Sequence, residues 1–388
     1  MMFRRSTRLL HSLDHAIGRL SRTKHVLVEL RTPVYHAVLG PICEMLDRFP
    51  DVELSFTSEY PEQIRGLVGP SRFVTHEEAE WRRFDLYMNA DPWAAARLRR
   101  CATRINFFHG VAGKYNLDRP EGLPMGFEYY DRIAFINRDR MSRYLEGGLV
   151  TTRQARLVGY PKLDRLATGA VDGAAATAGF EFDDARATAL YAPTYSPASS
   201  LHLAGEAIVQ ALADAGLNVI VKLHDRSLDA DPRYTGGIDW RARMRALERR
   251  GRVKYVEGAD ASPLMAAADL MVTDHSSVGF EFLVLDRPLI VFDAPDLPAA
   301  ARINPEKVAL LRSAATVVRS IGELAAAVED AARYPGRLSA ERQSVAGEMF
   351  HDPGHATERA VALARELLDT RGAEAAVRTV HAAPGGVS

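Results

Sequence analysis

From Lys24 onward the chain repeats one local pattern: a short run of β-branched, aromatic and aliphatic residues, a polar or glycine-bearing turn, then a stretch of helical periodicity. That alternation leaves few folds open. Parallel strands need a crossover connection, a helix supplies it, and the helices then cover the faces of one sheet. "HVLVEL", "VELSFTS", "FDLYMNA", "TRINFFHG", "RIAFIN" and "ARLVGYP" are the predicted strands of a first series, with a helix near Val38 to Phe49. "TALYAPTYS", "NVIVKLH", "RVKYVEG", "LMVTD" and "PLIVFD" belong to a second. Its helices are expected over Ala204 to Gly216, over "VGFEFLVL", and over "SPLMAAAD", where Ser262 is the expected N-cap and Pro263 the first helical residue. Between the series lies "RLATGAVDGAAATAGFEFDDARAT", rich in Ala and Gly and poor in large apolar side chains.

The expectation is an α/β protein of two domains, the first over residues 24–166 and the second over 188–350, joined by a connection over 167–187. A C-terminal helix over 351–372, closed by Gly372, and a frayed tail over 373–388 complete the chain. Its 388 residues suit this division, since single cores stop growing well below that length.

Charge excludes one class of partner. The 49 basic and 50 acidic residues nearly cancel, so no global field points to nucleic acid, and any anion site must be local. Cys43 and Cys101 are too far apart in sequence for a metal-ligand spacing and fit two buried thiols in a reducing compartment. No apolar run reaches membrane-spanning length and no signal-peptide core opens the chain, which predicts a cytoplasmic protein. Residues 1–23 nevertheless read as a basic amphipathic helix, with Leu9, Leu13, Ile17 and Leu20 on one face. Two roles are open to it: packing on the body of the protein, or lying on an anionic membrane surface.

In open α/β sheets ligands bind beyond the carboxyl ends of the strands, so polar residues placed directly after strands are the candidates. Four places qualify: His109-Gly110, Pro193-Thr194-Tyr195, His224, and Asp274 to Ser277. Ser276 and Ser277 open the helix "VGFEFLVL", where unpaired N–H groups and the positive dipole end suit a phosphate; a plain capping role for Ser277 is the alternative. Glu281, one turn further in, either accepts from ribose hydroxyls or sits on a solvated helix face. His109 on a tight turn is a candidate general base or a structural histidine, with Lys114 adding charge to the same loop. His224, beside Lys222, shares the sheet edge of the serine loop and suits a common pyrophosphate site. The sequence has no GxxxxGK[ST], GxGxxG, GxSxG or HExxH pattern, and no carboxylate pair at metal-ligand spacing in these loops.

"HGVAGK", "VGYPKLDRL", "YAPTY", "KLH" and "ADLMVTDHSSVGFEFLVLDRPLIVF" occur here in order between Phe107 and Phe292. Together they resemble the CDP-glycerol glycerophosphotransferase family of teichoic-acid-type polymer synthesis. The resemblance implies a GT-B-like fold, with two Rossmann-like domains facing a central cleft and the donor held mainly by the second. It implies His109 as catalytic base, and Gly110, Lys114, Thr194, His224, Asp274, Ser276, Ser277 and Glu281 as donor-binding residues. The implied reaction carries glycerol phosphate, or a related polyol phosphate, from a CDP-alcohol to a hydroxyl on a glycan or polyprenyl-linked acceptor, releasing CMP; with no carboxylate pair at ligand spacing in the candidate loops, neither metal nor cofactor is expected. Such an enzyme would work at the inner membrane face, with residues 1–23 as anchor. Val111, His275, Asp225 and Lys162-Leu163 depart from the family's usual residues. A sugar-nucleotide enzyme of the same fold, a glycosyltransferase or a UDP-N-acetylglucosamine 2-epimerase-like protein, is the alternative.

Overall fold

A computed structural model describes residues 21–90, 98–114, 117–118, 126–249, 251–258 and 260–369. The expected residues 1–20 of the N-terminal helix, Gly372 and the tail lie outside them. Among these described residues, twelve strands form two separate six-stranded sheets, every strand pairing parallel. The chain divides into two compact units, the first comprising residues 1–109, 121–162 and 355–388, the second 110–120 and 163–354.

The first sheet contains β1 (Lys24–Glu29), β2 (Val52–Thr57), β3 (Leu86–Asn89), β4 (Arg104–Phe107), β5 (Arg132–Phe135) and β6 (Ala155–Leu157), in the order β2-β1-β3-β4-β5-β6. Its inner strands are apolar on both faces, as helix-covered parallel strands must be: Val26, Leu27, Val28, Leu86, Tyr87 and Met88 are all fully buried. The helix Pro33–Leu46 starts where Thr32 is still extended and Pro33 fixes the first helical φ. The C-terminal helix Ala356–Asp369 packs back against it, with Arg365 Nη1 3.0 and 2.8 Å from the Asp51 carboxylate oxygens and Arg359 Nε donating to Val158 O at 2.7 Å.

The second sheet contains β7 (Thr188–Tyr191), β8 (Asn218–Lys222), β9 (Val253–Val256), β10 (Leu270–Thr273), β11 (Leu289–Phe292) and β12 (Thr316–Val318), in the order β12-β11-β10-β7-β8-β9. Counted from its own first strand this is 3-2-1-4-5-6, the Rossmann order, and the order reverses between β7 and β10. Its core sets Ala189, Tyr191, Val219, Val221, Val272 and Ile290 of the sheet against Leu201, Ile208 and Leu212 of the helix Ser200–Asp214 and Leu324 of the helix Ile321–Arg333.

Three expectations need correction. Residues 167–187 are not a bare connection: the helix Gly173–Thr177 packs on the helix Ser262–Ala267 inside the second unit. Gly173 permits the approach, for a Cβ there would lie 2.5 Å from Ala267 N. Residues 110–120 were expected in the first domain and belong to the second unit. Ser262 is the first helical residue rather than the cap, and the Asp260 carboxylate accepts from its N–H at 2.9 Å.

Candidate functional site

The loops after β7 and β10 flank the switch point of the second sheet, and one buried carboxylate ties them together. Asp274 Oδ1 accepts from Thr194 N at 2.9 Å, while its Oδ2 accepts from both Ser200 N and Ser200 Oγ at 3.0 Å. Burial raises the pKa of Asp274, and the nearby Lys114 and these hydrogen bonds oppose the rise. Thr273 Oγ1 reinforces the same junction through Ala192 O at 2.6 Å and Ser276 Oγ at 3.0 Å. Asp274 therefore holds the two loops in register with each other.

The serine pair divides its labour. Ser276, extended and buried, caps the short helix Ser277–Phe282 by accepting from Gly279 N at 3.4 Å. The capping role thus falls on Ser276. Ser277 is the first helical residue, half-buried, and its Oγ accepts from Val111 N at 3.4 Å. Glu281 is 2 % exposed, so the solvated-face reading of it does not hold.

Residues 110–114 lie on this same unit. Ala112 O accepts from His275 Nε2 at 3.1 Å and Gly113 O from Asn304 N at 3.0 Å. Burial drives His275 to a pKa of about 4, against the opposing hydrogen bond to Ala112 O, so the ring stays neutral near pH 7. Gly110 and Gly113 turn the chain at φ values of +71° and +64°, a region that favours glycine. At Gly113 a Cβ would also come within 2.5 Å of Asp118 Oδ2. Lys114 Nζ donates to Thr194 Oγ1, and burial lowers this ammonium to about 8 against the pull of Asp274.

His109 is the last residue of the first unit before that loop. Its Nδ1 lies 2.7 Å from Ala90 O, and its ring packs 4.6 Å from that of Tyr35. A carbonyl only accepts, so Nδ1 carries the proton and Nε2 is the basic nitrogen of the neutral ring. Ala90 follows β3 directly and His109 lies two residues after β4, neighbours in the first sheet. Beneath them Asn106 Nδ2 donates to Asn89 Oδ1 at 2.9 Å and Asn89 Nδ2 to Tyr130 OH at 2.8 Å.

His224 is exposed after β8, and its Nδ1 accepts from Arg226 N at 3.1 Å, which leaves the proton of the neutral ring on Nε2. Its ring lies 4.4 Å from that of Tyr195. Thr194, Asp274, Ser276, Ser277 and Lys114 are thus gathered around the β7 and β10 ends, with His224 joined to them through Tyr195. Ser200 and Asn304 carry no signal in the sequence, and His275 stands out there only as a departure from the family's usual residue. Their partners lie far away along the chain, and no local pattern marks them. Among the described residues, no three His, Cys, Asp or Glu side chains converge closely enough to hold a metal ion.

Two all-parallel sheets, the second in Rossmann order with polar loops at its switch point, define a GT-B-like protein. The family model described as CDP-glycerol:poly(glycerophosphate) glycerophosphotransferase matches residues 146–363. The chain belongs to that family and is a CDP-glycerol glycerophosphotransferase-type enzyme. Among solved structures it resembles a variant of the wall teichoic acid polymerase TagF, at 14% identity and TM-score 0.69 over 96% of this chain and 99% of the other. TagF soaked with CDPG matches at 15% identity and TM-score 0.70 over 96% and 99%. The UDP-GlcNAc 2-epimerase of Neisseria meningitidis bound to UDP-GlcNAc matches at 13% identity and TM-score 0.58 over 88% and 100%. These likenesses are of fold. A search of curated protein sequences finds no match.

Proposed function

We propose that the protein transfers glycerol phosphate, or a related polyol phosphate, from a CDP-alcohol to an acceptor hydroxyl and releases CMP. His109 Nε2 takes the proton of the acceptor hydroxyl as its oxygen attacks the β-phosphorus. The new P–O bond forms in line as the bond to the bridging oxygen breaks, and CMP leaves with that electron pair. No covalent enzyme intermediate is needed; positioning and neutralisation of phosphate charge supply the acceleration. Lys114, Ser277, Thr194 and His224 serve as donors to the pyrophosphate, Gly110 lets the loop turn beside Ser277, and Ser276 and Asp274 hold that frame in place. Glu281 receives the ribose.

The observation that supports this most strongly is the course of residues 109–114. His109 is one peptide bond from a loop whose next residues are bonded to Ser277, His275 and Asn304 and whose Lys114 reaches Thr194. Base and donor frame are therefore linked by a short, anchored backbone. The acceptor is a glycan or polyprenyl-linked saccharide at the inner face of the plasma membrane, approached with residues 1–23 on the lipid surface.

Incubating the protein with CDP-glycerol labelled in the glycerol and a membrane extract tests this reading. Label should pass into the lipid-linked or polymer fraction. Failure to do so, together with turnover or thermal stabilisation by UDP-N-acetylglucosamine, would favour the sugar-nucleotide alternative that the epimerase likeness keeps in view.

A further inference from the structure

Tyr195 lies at the centre of a group of N–H donors larger than the one considered so far. His224 packs on its ring at 4.4 Å, Lys114 Nζ lies 5.7 Å from the ring centroid and the Arg226 guanidinium 5.3 Å from it. Tyr234 meets Tyr195 at a centroid distance of 5.8 Å, with the ring planes at 81°, and holds Arg226 from another side at 4.9 Å. Arg226 is exposed, and its guanidinium has no carboxylate or carbonyl partner among the described residues. Two rings thus flank the guanidinium while its N–H donors remain uncommitted, whereas its neighbour Arg233 is bound by Asp231 at 2.8 Å. Contact with two rings lowers the ordering entropy that a planar, bidentate guanidinium must lose on meeting an oxyanion.

The position is also informative. Arg226 N donates to His224 Nδ1, so the residue that fixes the His224 tautomer carries the guanidinium. Its ring partner Tyr195 directly follows Thr194, whose hydroxyl accepts from Lys114. We propose that Arg226, bracketed by Tyr195 and Tyr234, is a phosphate-binding residue for the nucleoside diphosphate donor, acting with the Lys114 cation and the neutral His224 Nε2–H as a three-residue cradle. This rests on the donor site proposed above and adds to it a residue, a holding device and a ligand class.

The test measures CDP-glycerol affinity calorimetrically for wild type, Arg226→Gln, Arg226→Lys, Tyr234→Leu and Arg233→Gln, with UDP-N-acetylglucosamine in parallel. Loss of one charged hydrogen-bonding group predicts a Kd raised roughly ten- to a hundred-fold in Arg226→Gln. Arg226→Lys should recover part of it, and Tyr234→Leu should show a smaller loss at unchanged Tm. Arg233→Gln, which removes the same charge seven residues further along in the next helix, should stay within about twofold. Equal losses in Arg226→Gln and Arg233→Gln would reduce the effect to general charge and overturn the proposal, as would no loss in either. If the wild type binds only the UDP-sugar, the CDP-alcohol reading fails, and Arg226 is judged by the same comparison with that nucleotide.

Discussion

Asp274 shows what a single residue does at this site. Its carboxylate accepts three hydrogen bonds across more than seventy positions of sequence, so Asp274→Ala would strand Thr194 N and Ser200 N in the interior and leave the Ser200 hydroxyl with Tyr191 OH. A sequence marks Asp274 as polar after a strand but cannot say which way its oxygens face. The resemblance groups it with the donor-binding residues; in the structure its hydrogen bonds run to Thr194 and Ser200. Lys114 offers a cleaner test by pH. Burial lowers its pKa from 10.5 to about 8, so the folded protein holds this proton less tightly than the unfolded chain. Between about pH 8 and 10.5 the unfolded chain binds more protons, and this group's contribution to stability rises with pH. Donor affinity should move the opposite way, falling as pH passes 8 and the cation is lost. In Lys114→Arg that alkaline limb should disappear; a limb that persists would assign it elsewhere. His275→Leu leaves Ala112 O without its donor and should cost about 1–3 kcal/mol in thermal unfolding. It should also lower kcat, because the loop that follows His109 loses an anchor.

At the scale of elements, the strands were legible and the stretches between them less so. Each predicted strand is present, shortened at its carboxyl end because the apolar pattern runs on into the following loop, as in "TALYAPTYS" against Thr188–Tyr191. β12 was missed, since Thr316–Val318 is too short to show a period between two helices. The Ala- and Gly-rich stretch before β7 was misread for a physical reason. Small residues suggest a loose connection, yet here they let the helix Gly173–Thr177 lie close against Ala266 and Ala267. Gly173→Val would force those backbones apart and should cost about 1–3 kcal/mol, read as a lower Tm with the Kd for CDP-glycerol unchanged. A neutral result would mean that the two helices do not depend on this approach.

For the molecule as a whole, two α/β units were legible from the restarting alternation, but their composition was not. The segment 110–120 and the C-terminal helix each join the unit away from their neighbours in sequence, through non-local hydrogen bonds that no local pattern encodes. Among the described residues no helix is long and apolar enough to cross a membrane. If residues 1–23 serve as a surface anchor, the full chain should float with anionic vesicles at low salt and be released by high salt, and deletion of 1–20 should abolish flotation while leaving CDP-glycerol binding intact. The central claim, that His109 drives attack on a CDP-alcohol bound at the second sheet, is tested most directly by CMP release from CDP-glycerol with a membrane extract as acceptor source. Wild type should release CMP, and His109→Ala should slow it by about 10²- to 10⁴-fold at nearly unchanged donor affinity. Undiminished release in His109→Ala would contradict the account.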